Sequence, residues 1–163
     1  MRVLGFDPGT ATTGYGVVEI RSGRLRHIAH GTIATPPDAF FADRLKIIFD
    51  EAVRLLEAYQ PDAVAIERLY FKQNVSTGIT VAQARGVLAL AAAQAGKPIG
   101  EFSPTETKTA VTGYGKADKR QMQEMIKRLL NLDALPKPDD AADALGLAIC
   151  QAQTGLTQTR LRG

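Results

Sequence analysis

Two predicted strands each end on an acidic residue. Asp7 follows the largely apolar residues 1–6 and precedes a Pro-Gly turn, and Glu67 follows the largely apolar residues 62–66. Taken alone, an Asp-Pro-Gly sequence is favourable turn chemistry and would place the Asp7 carboxylate in solvent. The occurrence of two such strand ends favours compensated carboxylates instead, because an uncompensated charge at the end of a buried strand costs several kcal/mol. We therefore expect a cation to face both carboxylates.

A second pair of acids lies near the end of the sequence. Asp140 and Asp143 are three residues apart, so both project from one face of a predicted helix. The helix dipole alone stabilises acids in a first turn, which explains Asp140 better than Asp143, because Asp143 lies among small and apolar residues. Asp139 is rotated by about 100° from Asp140, and we expect it to point elsewhere and cap the helix.

If the strands that end at Asp7 and Glu67 are neighbours, the four acids meet at one edge of a sheet. Parallel strands lie about 4.8 Å apart, and the carboxyl edge of an open α/β sheet is where ligands bind. Converging carboxylates raise one another's pKa and destabilise the fold unless cations compensate them. Two Mg²⁺ ions, or Mn²⁺, suit a site with oxygen ligands only. His27 and His30 are the only histidines and lie in a predicted surface strand, which argues against a histidine-based metal site or catalytic triad.

The elements that position these acids begin as strands and continue as alternating strands and helices. Apolar periodicity predicts strands over residues 1–7, 14–20, 24–34, 62–67 and 99–102, and helices over residues 40–59, 76–94, 118–130 and 139–153, with a brief helix from residue 103. This order predicts an α/β fold with a mixed five-stranded sheet, three antiparallel strands and then parallel strands, flanked by helices. We expect one domain over residues 1–154 and a disordered basic tail over residues 155–163, which lack apolar periodicity.

The composition is typical of a globular protein with a weak preference for a polyanionic partner. The 163 residues include 20 Lys and Arg against 17 Asp and Glu, a formal net charge of +3, which becomes +7 if four acids bind metal. No run reaches the roughly 18 apolar residues of a membrane span, and the first residues already enter a strand, which leaves no room for a signal peptide. The one cysteine, Cys150, allows no internal disulfide. We expect a cytoplasmic protein with no membrane partner.

Aromatic and basic residues adjoin the predicted acidic site. Tyr70, Phe71 and Lys72 follow the second acidic strand in a predicted loop. Rings among cations are typical of base stacking, although rings after a strand also commonly pack into a core. Lys119 lies in the first turn of the predicted helix over residues 118–130, after a glycine-rich loop that carries Lys116. Its ammonium could neutralise charge on a phosphate, or it could be a solvated charge on an amphipathic helix.

Five short motifs occur together along the chain. They are Phe6-Asp7-Pro8-Gly9, Ala65-Ile66-Glu67, Gln83-Ala84-Arg85-Gly86, Gly115-Lys116-Ala117-Asp118-Lys119 and Asp140-Ala141-Ala142-Asp143-Ala144-Leu145. In this order they resemble the RuvC-type Holliday-junction resolvases, which are crossover junction endodeoxyribonucleases, and the resemblance extends over residues 1–153. It implies an RNase H-like fold, a homodimer, and metal-dependent nicking of opposite strands of a four-way DNA junction during recombination and repair. It leaves open whether a branch-migration helicase complex is a partner.

The resemblance also implies roles for individual residues. The metal-binding acids of the family correspond to Asp7, Glu67, Asp140 and Asp143. Its basic residues near the scissile phosphate correspond to Lys108 and Lys119, and its aromatic residue at the junction centre corresponds to Tyr70. Family members often have Phe at that position, so either Tyr70 or the adjacent Phe71 could stack on DNA. Lys72 and Lys116 complete the expected DNA contacts.

Two other functions are compatible with parts of the sequence. Asp7-Pro8-Gly9-Thr10 is similar to the first phosphate loop of actin-like phosphotransferases. Those proteins repeat the fold and carry a second Asp/Gly phosphate loop, and this sequence shows neither feature. A non-catalytic nucleic-acid-binding module would explain the bases. It would not explain four acids at one sheet edge, where they would repel phosphate.

The predicted helix over residues 76–94 is apolar over most of its surface. Its strongly polar residues are Gln83, Arg85 and Gln94. One side of such a helix can pack on a sheet, and the other side would be left as an exposed apolar surface, which usually marks an interface. We therefore expect a two-fold homodimer formed through this helix.

Overall fold

A mixed β-sheet lies between two layers of helices in the computed structural model, which describes residues 1–69 and 75–161, with side chains up to residue 155. The strands are β1 Arg2–Asp7, β2 Thr12–Arg21, β3 Arg24–Ala34, β4 Ala63–Glu67 and β5 Ile99–Phe102. The helices are α1 Phe41–Tyr59, α2 Val75–Gln94, α3 Pro104–Thr112, α4 Lys119–Leu130 and α5 Asp139–Leu161.

The five strands have the order β3-β2-β1-β4-β5. β1, β2 and β3 are antiparallel neighbours, whereas β1 pairs with β4, and β4 with β5, in parallel. This confirms the predicted mixed sheet. The register pairs Phe6 with Ile66, so Asp7 and Glu67 are the next residues on two neighbouring strands and share the carboxyl edge.

Strand alternation decides which face of the sheet the two acids occupy. On β1, Val3 packs in the apolar core that α3, α4 and α5 form with the sheet, and Asp7 lies on the same face as Val3. On β4, Ala65 packs in this core, and Glu67 shares its face. Both carboxylates therefore point toward the layer that contains α5, whereas α1 and α2 cover the opposite face.

Glycines in β1 and β2 let α5 cross the sheet at a very short distance. A Cβ atom at Gly5 would collide with the backbone of Ala144, and one at Gly14 would collide with the backbone carbonyl of Asp140. Gly16 likewise faces the α5 backbone. Because these glycines have no side chains, α5 can lie close to the sheet. This short distance determines the position of the acids on α5.

α5 is longer than the sequence predicts. It begins at Asp139, as expected, but continues to Leu161. The sequence predicts a disordered tail from residue 155, whereas the structure describes helical backbone as far as Leu161. The Thr154 hydroxyl donates a hydrogen bond to the carbonyl of Cys150 in the preceding turn. A nucleated helix gains one backbone hydrogen bond for each added residue, so it can extend without an apolar stripe of its own.

α2 has one side in the core and one apolar side exposed. Ala84, Leu88 and Ala91 are buried against the sheet and α1, whereas Ile79 and Leu90 expose 51% and 52% of their surface. By length and composition alone, this 20-residue helix, which contains an 18-residue window with a mean hydropathy of 1.3, could cross a membrane. A helix that packs one side into a protein core meets the same criterion, and α2 packs Ala84, Leu88 and Ala91 into the core.

Candidate active site

Carboxylates from β1 and α5 meet at the edge of the sheet. Oxygen atoms of Asp7, Asp140 and Asp143 all lie within 4.8 Å of one another. Asp7 is the last residue of β1, and the other two acids lie in the first turns of α5 on one helix face. The structure therefore brings three of the four predicted acids into one cluster.

The turn after Asp7 is held by hydrogen bonds on both sides. The buried Thr13 hydroxyl donates to the carbonyl of Gly9 at 2.7 Å. The Thr10 hydroxyl donates to a backbone carbonyl of α2 at 3.1 Å, and the Thr35 hydroxyl donates to the carbonyl of Thr10 at 2.6 Å. These contacts anchor the turn to α2 and to the segment after β3, so the end of β1 has a defined position.

Glu67 ends β4 and faces a cleft between α3, α4 and α5. The cleft has a volume of about 240 Å³, and its lining includes Glu67, Lys108, Lys119 and Asp143. Glu67 is not part of the cluster of three acids, but it interacts electrostatically with Asp7 and with Asp143. The fourth predicted acid therefore lies on the cleft side of the cluster.

Burial and mutual repulsion raise the pKa values of these acids. The pKa of Asp7 rises from its ordinary value of 3.8 to about 8, first because the carboxyl group is buried and then because Asp143, Glu67 and Asp140 repel its negative charge. Burial and the Asp143 charge also raise the pKa of Glu67. Asp143 is more exposed, and burial raises its pKa to about 6 against the opposing effect of the Lys119 ammonium. The cluster thus holds more negative charge than the surrounding protein compensates.

The cluster has the donor set of a site for hard divalent cations. Its donors are all carboxylate oxygens, the ligands that Mg²⁺ and Mn²⁺ prefer. A cation at this position would remove the repulsion that raises the pKa of Asp7. The histidines take no part, because His27 and His30 lie on β3 and contact each other, with ring nitrogens 2.8 Å apart.

Comparison with known proteins decides the family. The family described as crossover junction endodeoxyribonuclease RuvC matches residues 3–151. The chain belongs to the RuvC family. The crossover junction endodeoxyribonuclease RuvC of Thermotoga petrophila is 50% identical over 152 residues, which cover 93% of this chain and 92% of that protein. The RuvC of Chloroflexus aurantiacus is 51% identical over 160 residues, which cover 98% of each protein.

Solved RuvC structures have the same fold. The Thermus thermophilus RuvC structure matches with a TM-score of 0.90 at 30% identity, covering 98% of each chain. T. thermophilus RuvC in complex with Holliday junction substrate matches with a TM-score of 0.92 at 31% identity, covering 98% of this chain and 97% of that one. These matches confirm the RNase H-like α/β architecture that the motif resemblance implied.

In this RuvC-family chain, two of the predicted lysines reach the acidic site. Lys108 lies on α3, which begins with a capping box at Ser103, and Lys119 is the first residue of α4. Both line the cleft together with Glu67. Lys116 is exposed in the loop before α4 and is not among the residues that line this cleft.

Asp139 does not act as the predicted helix cap. It is the first residue of α5, and its carboxylate pairs with Lys119 Nζ at 2.6 Å. It also accepts a hydrogen bond from Gln123 Nε2 at 2.9 Å. The prediction of a cap is wrong because α4 lies beside the start of α5 and supplies a charged donor, which binds a carboxylate more strongly than a backbone amide does.

Tyr70, Phe71 and Lys72 lie outside the residues that the structure describes. The described chain resumes at Val75, the first residue of α2. The segment therefore follows Glu67 closely in sequence, and its contact with DNA stays a prediction.

The role of the glycines that allow α5 to approach the sheet was not predicted from the sequence. Gly5, Gly14 and Gly16 do no chemistry, yet each would obstruct the α5 backbone if it carried a side chain. The available signal is their occurrence inside strands, where glycine is disfavoured unless another backbone approaches closely.

Proposed function

We propose that this chain is a structure-selective endonuclease that resolves four-way DNA junctions by paired hydrolytic nicks during recombination and repair. The observation that carries the proposal is the convergence of the Asp7, Asp140 and Asp143 carboxylates at the sheet edge of a RuvC-family fold. A Holliday junction substrate bound to T. thermophilus RuvC supports a four-way junction as the substrate here. The family match over residues 3–151 favours this activity over a phosphotransferase or a non-catalytic binding module.

We assign metal binding to Asp7, Asp140 and Asp143, with Glu67 as the fourth acid. Two Mg²⁺ ions, with Mn²⁺ as the alternative, suit the all-oxygen donor set and the uncompensated charge. Metals held by these carboxylates would supply activation of the attacking water and stabilisation of the leaving 3′ oxygen. Asp7 must lose its proton to bind a cation, so its raised pKa couples metal binding to proton release.

Two lysines are assigned to the scissile phosphate. Lys108 and Lys119 line the cleft beside Glu67 and Asp143, so both ammonium groups lie next to the acidic cluster. An ammonium group in this position stabilises the negative charge that develops on phosphorus-bound oxygens in the transition state. Water is the nucleophile in this scheme, so the chain needs no nucleophilic side chain of its own.

We propose further DNA contacts next to the cleft. Tyr70 or Phe71 stacks on bases at the opened junction centre, and Lys72 contacts a phosphate. Lys116 is exposed in the loop before α4, where it can reach the DNA backbone. A formal net charge of +3 supports a polyanionic partner.

We also propose that two copies pair through the exposed apolar side of α2. Val75, Ile79 and Leu90 expose 69%, 51% and 52% of their surface on a helix whose other side is in the core. Two-fold pairing of one surface with itself is the commonest assembly, and it gives two active sites for two symmetric nicks. We place this dimer in the cytoplasm, with a branch-migration helicase complex as a further partner.

The direct test is cleavage of an end-labelled synthetic four-way junction with Mg²⁺ or with EDTA, read on a denaturing gel. A linear duplex of the same sequence is the substrate control. Paired nicks are expected with the junction and metal together. Failure of the wild-type protein to nick the junction with either Mg²⁺ or Mn²⁺ would reject the proposed function.

Variants test the site within the same assay. Asp7→Asn, Glu67→Gln, Asp140→Asn and Asp143→Asn are each expected to abolish or greatly reduce cleavage while junction binding survives. Asp50→Asn is the matched control, because Asp50 is an exposed acid on α1 that pairs with Lys46 away from the cleft. Wild-type cleavage by any three of the four acidic variants would overturn the site assignment.

A further inference from the structure

We propose that Asp139 is a positioning residue that holds Lys119 over the acidic cleft. The inference rests on the nuclease activity proposed above. Asp139 Oδ2 pairs with Lys119 Nζ at 2.6 Å, and Asp139 Oδ1 accepts a hydrogen bond from Gln123 Nε2 at 2.9 Å. Each carboxylate oxygen thus has its own partner, and both partners belong to α4.

This arrangement ties the helix that carries the lysine to the helix that carries the acids. Lys119 and Gln123 are one turn apart on α4, so they lie on the same helix face. Asp139 begins α5, directly before Asp140 and four residues before Asp143. A single carboxylate therefore links the first turn of α4 to the first turn of α5, where the catalytic acids are proposed to bind metal.

The position of Lys119 is not explained by the stability of α4. The helix start is already secured by a capping box, in which Asp118 and Gln121 exchange hydrogen bonds with each other's backbone amides. A cation at the first residue of a helix lies at the positive end of the helix dipole, which is unfavourable. Asp139 offsets this unfavourable interaction, and its hydrogen bond is the largest cause of the raised pKa of Lys119.

A positioning role accounts for an ion pair that contributes little to folding. The Lys119 and Asp139 side chains expose 59% and 57% of their surface, and exposed pairs of this kind contribute little to stability. Lysine has a long, flexible side chain, so fixing its direction before the substrate arrives avoids an ordering step during the reaction. Without Asp139, Lys119 would remain in the cleft region but sample many orientations.

The test measures single-turnover cleavage of a synthetic four-way junction in Mg²⁺ with enzyme in excess. Asp139→Ala is expected to slow cleavage about tenfold and to leave the dissociation constant for the junction within about twofold. Asp139→Glu should recover part of the rate, because it retains the charge. Asp139→Asn should fall between these two variants, because it can keep the hydrogen bond from Gln123 but not the ion pair. Thermal melts confirm that each variant is folded.

A double-mutant cycle separates positioning of Lys119 from a general effect of charge. Adding Asp139→Ala to Lys119→Ala is expected to slow cleavage no further than Lys119→Ala alone. Glu124→Ala is the matched control, because Glu124 pairs with Arg120 at 3.2 Å on the same helix and does not contact Lys119. Its cleavage rate should equal that of the wild type.

Each other outcome overturns the inference. An unchanged rate in Asp139→Ala means that Asp139 does not position the lysine, and a faster rate means that it withholds the lysine from the phosphate. An equal further loss in the Lys119→Ala background means that Asp139 acts independently of Lys119. Absence of cleavage by the wild-type protein would reject the proposed function as well, which distinguishes the two failures.

Discussion

Replacing Asp7 by Asn should stabilise the metal-free protein. The pKa of the Asp7 carboxyl is raised from 3.8 to about 8. At a pH between these two values, the native state keeps a proton on Asp7 that the unfolded chain has released. The stability linked to Asp7 is therefore fully present below pH 3.8 and is lost as the pH rises through about 8. Asn has a shape similar to that of Asp but carries no charge, so the Asp7→Asn variant does not undergo this loss of stability.

The magnitude follows from the size of the pKa change. At 1.36 kcal/mol per pH unit, a rise from 3.8 to about 8 corresponds to a total of about 6 kcal/mol, of which about 4 kcal/mol falls between pH 5 and pH 9. Adjustment of the other carboxylates reduces this free-energy change. We therefore expect the free energy of unfolding of the wild type to fall by about 2–4 kcal/mol relative to that of Asp7→Asn between pH 5 and pH 9.

Urea unfolding followed by circular dichroism, in EDTA, measures this difference across the pH range. Asp50→Asn is the control, because its ion pair with Lys46 is exposed and contributes little to stability. Excess Mg²⁺ should reverse the order by stabilising the wild type and not the Asp7→Asn variant. A variant that is no more stable than the wild type at pH 8 to pH 9 in EDTA would refute the reasoning.

Four further predictions concern the site and the assembly. Gly14→Ala should lower the free energy of unfolding in urea by about 1–3 kcal/mol and impair cleavage, because its Cβ would meet the α5 backbone. Gly146→Ala is the control: its Cβ would meet only side-chain atoms at 3.3 Å and beyond, so stability should change by less than about 1 kcal/mol. Lys119→Ala should lower the cleavage rate far more than junction affinity; a loss of affinity alone, with a reduced salt slope, would make it an ordinary phosphate contact. Leu90→Glu should convert a dimer into a folded monomer by light scattering, and an unchanged mass would place the interface elsewhere. Alanine at both Tyr70 and Phe71 should impair resolution with little change in melting temperature; a loss of about 3–5 kcal/mol would instead indicate core packing.

The chemistry of the site was predictable because it depends on short-range patterns. Apolar runs that end on Asp7 and Glu67 predict carboxylates at a strand edge, and the three-residue spacing of Asp140 and Asp143 predicts one helix face. Both patterns reflect backbone periods of two and 3.6 residues, which are local properties of the chain. The mixed sheet followed from the same periods and the order of the elements, and Cys150 is buried as its apolar surroundings suggest.

Distances and partners between elements were decided only by the tertiary structure. The sequence does not reveal that α5 crosses β1 and β2 at their glycines, because that crossing depends on how the two sides of the sheet are filled. The same applies to Asp139, which pairs with Lys119 because two helix starts meet at one sheet edge, although its local sequence predicted a cap. Local periodicity determines which face a side chain occupies, whereas long-range packing determines what that face meets.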